Sequence, residues 1–157
     1  MNILGIDPGP KETAYCLVDE NYAVVYAGKV ENYKIIQVIG KTIMEPNFAE
    51  TAIESLQSFG MPVGKEVFET AYMIGRIQQK LDDTQRKYTL YPRQEYAHSI
   101  CGTGKISDSI LRQALLLRFG GDKKDEPLHQ LKGSSDLRSA YAVAVYHLDK
   151  KKWEGAK

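Results

Sequence analysis

Several features that would define a protein class are scarce in this sequence of 157 residues. It has two cysteines, Cys16 and Cys101, and neither belongs to a Cys-x-x-Cys or Cys/His pattern, which argues against a disulfide framework and against a zinc site. No apolar run approaches the roughly 20 residues that cross a bilayer. The N-terminus lacks a basic segment followed by an apolar signal core. We therefore expect reduced thiols and a protein that stays in the compartment where it is made.

The composition describes a globular chain and gives little direct indication of its partners. Hydrophobic residues make up 43% and charged residues 26% of the sequence, and the length is sufficient to bury a hydrophobic core. The formal net charge of +1 does not indicate a nucleic-acid binder, but acidic residues are frequent in 45–54 and basic residues are frequent in the last third. Composition alone favours a solvated surface with a basic tail.

Apolar runs bounded by turn residues predict five strands. The first run ends at Asp7, where "DPGP" must break the strand and turn the chain. A short polar link joins the second and third runs, so the first three strands form an antiparallel meander. The predicted strands cover residues 2–7, 13–19, 23–30, about 51–56, and 88–92.

Apolar spacings of three and four residues predict four helices. Ser107 and Asp108 are favourable N-cap residues for the third of them, and the glycine-bearing loop "CGTGK" precedes it. The predicted helices cover residues 33–44, 65–81, 109–119 and 136–151. No repeat or linker interrupts the chain, so we expect one α/β domain over residues 1–157, with a five-stranded mixed sheet flanked by helices.

Three carboxylates lie where a sheet would bring distant residues together. Asp7 ends the first predicted strand, Glu54 lies at or near the end of the fourth, and Asp136 begins the alanine-rich last helix. Taken singly, each has a structural explanation as a turn cap, a solvent-facing side chain or a helix N-cap. Taken together, they are hard oxygen ligands that would suit Mg²⁺ or Mn²⁺.

The order of these motifs resembles a known family. "GIDPG" ending the first strand, "AIES" ending the fourth, the "CGTGK" loop before a helix, and the terminal D-x-x-x-A-x-A-V-A-V helix resemble the RuvC-like Holliday-junction resolvases of the ribonuclease H-like superfamily. The stretches around "AIESLQSFGMPVGKEVFETAYMIGR" and "SDSILRQALLLRFG" look most like the bacteriophage and prophage versions. The resemblance extends over residues 2–147 and implies a ribonuclease H-like fold.

The resemblance implies a metal-dependent nuclease that cuts branched DNA in recombination. It implies that Asp7, Glu54 and Asp136 are catalytic and hold a pair of Mg²⁺ or Mn²⁺ ions, with Asp7 bridging them. Bacterial members of the family place a fourth acid three residues after the third, and this position is Ser139. Either the Ser139 hydroxyl or Asp108, from the neighbouring helix, could serve instead. His98 and His129 are expected in loops, outside the site, and His147 packed or solvated in the last helix.

DNA contacts and dimerisation are expected from other parts of the chain. Lys105 and Arg112 lie in the basic last third, beside a helix N-terminus that would favour a phosphate. Phe59, in a glycine- and proline-bearing loop, is a candidate to stack at the centre of a junction, and a core position is the alternative. The resemblance also implies a homodimer, for which the helix over residues 65–81 could supply the interface through Phe68, Tyr72 and Ile74, unless it is a core-facing helix.

Two other functions fit the same residues. A ribonuclease H-like site could act on RNA–DNA hybrids or flap-like replication intermediates instead of four-way junctions. A protein whose nuclease site has decayed through the change at Ser139 could bind branched DNA without cutting it. In each case the resemblance implies that the protein works in the cytoplasm of a bacterial host cell, without a membrane or a small-molecule cofactor.

Overall fold

The computed structural model describes residues 1–60, 62–102, 104 and 106–156. The strands are β1 (Asn2–Pro8), β2 (Glu12–Val18), β3 (Val24–Glu31), β4 (Phe48–Ser55) and β5 (Tyr88–Pro92). The helices are α1 (Asn32–Thr42), α2 (Lys65–Asp83), α3 (Arg93–Cys101), α4 (Asp108–Phe119) and α5 (Ser135–Gly155), with a 3-10 turn at His129–Leu131. None of the helices in this described part of the chain is long and apolar enough to cross a membrane.

The strands form one mixed sheet in the order β3-β2-β1-β4-β5. β1 pairs antiparallel with β2, and β2 pairs antiparallel with β3, whereas β4 runs parallel to both β1 and β5. The predicted five-stranded mixed sheet with an antiparallel first half is therefore confirmed. β1 is the central strand, because it is the third of the five strands in this order.

Helices cover both faces of the sheet. α1 and α2 pack on one face, over a core that includes Leu4, Ile6 and Ile53. α5 packs on the other face together with α3 and α4. A Cβ atom added at Gly5 would lie 1.9 Å from the carbonyl oxygen of Ala140. The alanine-rich helix α5 therefore lies directly on β1, as the small side chains of both elements permit.

One helix was not predicted from the sequence. α3 follows β5 without an intervening loop and ends at Gly102, whose φ of +64° places it in the left-handed region. The sequence prediction placed a loop there. α3 buries only Tyr96 and Ala97, so it lacks the repeated apolar spacing that revealed the other helices.

Candidate active site

Asp7 and Glu54 are neighbours at the carboxyl edge of the sheet. β1 and β4 run parallel with Ile6 opposite Ile53, so the next residue of each strand is one of these two acids. The side chains of Ile6 and Ile53 face the α1 and α2 core. Because side chains alternate along a strand, Asp7 and Glu54 lie on the opposite face, which α5 covers.

The first turn of α5 brings Asp136 to the same edge. Ser134 caps this helix by accepting a hydrogen bond from the backbone N–H of Leu137. Asp7 and Asp136 both line a cavity of about 360 Å³. The ammonium group of Lys29 lies 2.9 Å from Oδ2 of Asp136 and 3.0 Å from a carboxylate oxygen of Glu12. Asp136 therefore has a cationic partner within the chain.

The pKa of Asp7 reflects its burial and the charges around it. The pKa of Asp7 is raised from the ordinary value of 3.8 to about 8, first by burial and then by the negative charges of Glu54 and Asp136. The Arg93 guanidinium opposes this shift of the pKa. A carboxylate with such a pKa needs a nearby positive charge to remain ionised at neutral pH.

Glu54 is held by two residues of α3. The hydroxyl of Tyr96 donates a hydrogen bond to Oε2 of Glu54 over 2.5 Å, and Nη1 of Arg93 lies 3.8 Å from the same oxygen. Burial raises the pKa of Glu54, whereas the Tyr96 hydrogen bond and the Arg93 charge lower it. The Glu54 side chain is 18% exposed, so it is accessible from the edge of the sheet.

Arg93 also connects Ser139 and Asp108. Its Nη1 donates a hydrogen bond to Oγ of Ser139 over 2.8 Å, and its Nη2 contacts a carboxylate oxygen of Asp108. Ser139 is buried one turn after Asp136 on α5, and Asp108 is the first residue of α4. Asp108 therefore does approach the site from the neighbouring helix, but its contact is with Arg93.

The donor groups at this edge fit a divalent cation, although their arrangement is not a closed metal site. Within the described residues, no group of three or more His, Cys, Asp or Glu side chains is placed to hold an ion. Asp136 is paired with Lys29, so an ion bound to Asp136 would have to displace this ammonium group. A bound cation would favour the charged form of Asp7, whose pKa is raised by burial and by the neighbouring acids, and carboxylate oxygens are the ligands that Mg²⁺ and Mn²⁺ prefer.

A second cavity opens on the other side of Glu54. It has a volume of about 410 Å³, and its lining includes Glu54, Phe59, Arg93, His98 and Ile106. The side chain of Phe59 is 65% exposed, which excludes the alternative of a core position. An aromatic ring therefore stands at the rim of a cavity that reaches the acidic edge.

Comparisons with known proteins agree with this geometry. No family model matches the sequence. The chain is 24% identical over 164 residues to the crossover junction endodeoxyribonuclease RuvC of Sulfurovum sp. (strain NBC37-1), covering 97% of this chain and 98% of the relative. It is 26% identical over 159 residues to the RuvC of Campylobacter curvus (strain 525.92), covering 94% and 96%. The chain is thus similar over nearly its whole length to two RuvC proteins.

Solved structures agree with a RuvC-like fold. Thermus thermophilus RuvC in complex with a Holliday junction substrate superimposes with a TM-score of 0.74 at 14% identity, over 98% of this chain and 96% of that chain. The fowlpox virus resolvase in complex with substrate Holliday junction DNA gives a TM-score of 0.60 at 14% identity, over 96% and 99%. The RuvC-like chain has the ribonuclease H-like fold expected from its motifs.

The predicted DNA-binding residues of the RuvC-like chain have different surroundings. Lys105 lies outside the described residues. Arg112 donates two hydrogen bonds to Oδ2 of Asp122, over 3.0 and 2.7 Å. Phe59 lines a cavity together with Glu54. Their roles in DNA binding stay predictions.

The histidines of the RuvC-like chain correct two expectations. His98 lies in α3 and His129 begins the 3-10 turn, so neither is in an irregular loop. His98 lines the cavity beside Glu54. His147 is buried, and its ring nitrogens bond Tyr91 over 2.9 Å and Glu50 over 3.0 Å. His147 therefore packs within the protein, as one of the two expectations for it states.

Sequence reasoning missed Arg93 and Tyr96 as residues of this site. Both belong to α3, which was interpreted as a loop. The available signals were Pro92 directly before the helix, Glu95 in its first turn and Gly102 at its end. These signals mark a short helix, but they do not show that its first turn lies against Glu54.

Proposed function

We propose that the chain is a metal-dependent, structure-selective endodeoxyribonuclease. It resolves Holliday junctions and other branched DNA by paired symmetric cleavage of phosphodiester bonds. This proposal is supported by the positions of Asp7 and Glu54 at adjacent strand ends and of Asp136 on a cavity shared with Asp7, in a chain similar over almost its full length to two RuvC proteins. The proposed nuclease domain covers residues 1–157, and its substrate implies activity in the cytoplasm of a bacterial host cell.

The three carboxylates would hold the divalent cation, which we propose to be Mg²⁺ or Mn²⁺. Such an ion supplies a hydroxide nucleophile at neutral pH and stabilises the charge that develops on the phosphate and on the leaving oxygen. Asp7 is central because it interacts with both other acids. A pair of ions would need a further ligand near Ser139, where Arg93 already donates a hydrogen bond.

The chain's own residues prepare the site around Glu54. Tyr96 donates to the carboxylate form of Glu54 and thus favours its ionisation. Tyr96 is fully buried, so its hydroxyl is held in position by the packing of α3 on α5. Glu54 is therefore oriented before any substrate arrives, which lowers the cost of assembling the site.

Phe59 is the proposed contact to unstacked bases at the junction centre. Its ring is exposed at the rim of the cavity that reaches Glu54. Stacking of a base on an aromatic ring contributes about 1–3 kcal/mol. We propose that Lys105 and Arg112 contact phosphates. For Arg112 this requires sharing or breaking the bonds to Asp122.

A four-way junction presents two symmetry-related strands, so the proposed enzyme acts as a homodimer. The α2 surface supports this proposal through Phe68 and Tyr72, which are 53% and 69% exposed. Ile74 was expected at the same interface, but it is buried in the chain and faces the core. The interface candidates are therefore Phe68 and Tyr72 without Ile74.

The test is cleavage of a mobile synthetic four-way junction with Mg²⁺ or Mn²⁺, beside matched duplex, flap and RNA–DNA hybrid substrates. We expect paired symmetric nicks on the junction from the wild type and none from Glu54→Gln. Glu20→Gln is the matched control, because Glu20 lies beyond the end of β2, pairs with the N-terminal amine, and is 62% exposed. Its cleavage should equal that of the wild type.

The other outcomes separate the alternatives. Equal cutting of flaps would extend the function to general branch processing, and preferred cutting of hybrids would make the protein a ribonuclease. Junction binding without cleavage by the wild type would identify a non-catalytic branched-DNA binder and overturn the proposed enzyme.

A further inference from the structure

Arg93 occupies a position inside the acidic site. Its guanidinium lies between Glu54 on β4, Ser139 on α5 and Asp108 on α4. The Arg93 side chain is 34% exposed, so it is accessible at the edge and yet in contact with a fully buried hydroxyl. The arginine thus places a permanent positive charge on the side of Glu54 that faces Ser139.

Ser139 completes this arrangement because it is neutral. Its hydroxyl accepts the hydrogen bond from Nη1 of Arg93 over 2.8 Å. A hydroxyl in this position offers a divalent cation no negative charge. An ion placed between Glu54 and Ser139 would lie within a few ångströms of the guanidinium, and Ser139 would add no negative charge to that of the carboxylates. Repulsion by Arg93 therefore disfavours a divalent cation there.

The opposite side of the site has different charges. Asp7 and Asp136 line a cavity there together with Lys11 and Lys29, and the amine of the flexible Lys29 side chain lies between Asp136 and Glu12. Lys29 is 37% exposed and can turn to solvent, whereas Arg93 is fixed by contacts to three elements. A divalent cation can thus replace Lys29 more easily than Arg93.

We propose that Arg93 is a built-in cation that takes the place of a second metal ion, so that each chain binds one divalent cation, on the Asp7–Asp136 side. Arg93 and Ser139 form one unit in this arrangement. An acid in place of Ser139 would pair with Arg93. A second ion site would therefore form only if the acid were introduced and Arg93 were also removed. The inference rests on the proposed function for the identity of the site, but the number of ions can be measured without DNA.

The experiment counts Mn²⁺ ions on the DNA-free protein by electron paramagnetic resonance and by calorimetric titration. We expect one ion per chain for the wild type and one for Ser139→Asp, whose new carboxylate pairs with Arg93. The double variant Arg93→Gln/Ser139→Asp should bind two. Arg118→Gln is the matched control, because Arg118 forms a comparable two-bond pair with Asp149 outside the site. Its count should stay at one.

Two results would overturn the inference: two ions on the wild type, or one ion on a folded double variant. Asp7→Asn should abolish the wild-type ion, which assigns the count to this edge. Circular dichroism establishes that each variant is folded. If the double variant does not fold, the wild-type count decides alone, since one ion agrees with the inference and two ions contradict it.

The count also separates this inference from the proposed function. A wild type that binds one ion and cuts no junction would contradict the nuclease and leave the role of Arg93 intact. A wild type that cuts junctions and binds two ions at this edge would support the nuclease and contradict the proposed role of Arg93. A merely structural Arg93 would alter the melting temperature when replaced, but it would not change the number of bound ions in the folded double variant.

Discussion

The hydroxyl of Tyr96 lies 2.5 Å from Oε2 of Glu54 and donates a hydrogen bond to it. Tyr96 is fully buried, and its own pKa is raised by burial and by the charge of Glu54, so it remains a donor. The bond favours the ionised form of Glu54, whose pKa burial would otherwise raise further. The packing of one phenol thus affects the charge of a predicted metal ligand.

Replacing Tyr96 by phenylalanine should make cleavage more sensitive to acid. Loss of the hydrogen bond raises the pKa of Glu54, so the low-pH limb of the rate profile should move to higher pH. Cleavage near pH 6 should fall by about tenfold or more, because a hydrogen bond to a charged group contributes roughly 1.5–3 kcal/mol. Tyr146→Phe, which removes a surface bond to Glu95, is the control. Superimposable profiles would refute the role of Tyr96.

Asp7→Asn should stabilise the metal-free protein while abolishing cleavage. The pKa of Asp7 in the folded chain, about 8, exceeds its ordinary value of 3.8, so the folded state loses stability as pH rises between these values. At pH 8 without divalent ions, the variant should melt about 5 °C above the wild type, on the order of 2 kcal/mol for a chain of this size. The difference should vanish toward pH 4 and shrink with saturating Mg²⁺. A lower melting temperature for the variant at pH 8 would contradict this.

Lys29→Gln should lower the Mg²⁺ concentration that gives half-maximal cleavage. The substitution removes the ammonium group that lies 2.9 Å from Asp136, so Mg²⁺ no longer competes with this group for the carboxylate. Exposed ion pairs contribute about 0.2–1 kcal/mol, which corresponds to a gain of roughly 1.5- to 5-fold. Lys152→Gln, remote from this edge and bonded to the carbonyl of Glu20, should change nothing. An unchanged Mg²⁺ dependence would contradict competition between Lys29 and the ion. If the variant instead needed more Mg²⁺, Lys29 would be a residue that positions Asp136.

Gly5→Ala should destabilise the fold through the contact between β1 and α5. The added methyl group would lie 1.9 Å from a backbone oxygen of Ala140 and 2.9 Å from the Cβ of Ala144, so the helix must move. We expect a loss of about 3 kcal/mol in the free energy of unfolding, measured by urea denaturation. Gly75→Ala is the control, because a Cβ there meets nothing within 4 Å and alanine favours the helix by about 1 kcal/mol. Equal stabilities of the two variants would disprove the close packing.

The first strands of the sheet could be predicted from the sequence because turn signals follow them. β1 ends at Pro8, one residue after its predicted end at Asp7, and the antiparallel pairing of the first three strands followed from their short links. α3 could not be predicted in the same way. It buries two residues, and burial on one helix face is the signal that periodicity detects.

The meeting of the carboxylates could be predicted from the sequence, whereas the contacts of their cationic partner Arg93 could not. Asp7 and Glu54 could be paired in advance, because parallel strands bring their carboxyl ends to one edge. The bond between Arg93 and Ser139 joins residues 46 positions apart on two helices. No local pattern records such a contact, since it depends on how α3 and α5 pack against each other.

The central place of β1 has a consequence for the order in which parts of the site open. Its backbone amides are bonded to β2 on one side and β4 on the other, under helices on both faces, so they should exchange with deuterium only on global unfolding. Asp108 begins an exposed helix end, and Phe59 stands on an irregular segment after β4. The site therefore combines slowly exchanging amides around Asp7 with faster exchange at its periphery. The periphery can move to admit a bulky branched substrate while the central strand stays in place.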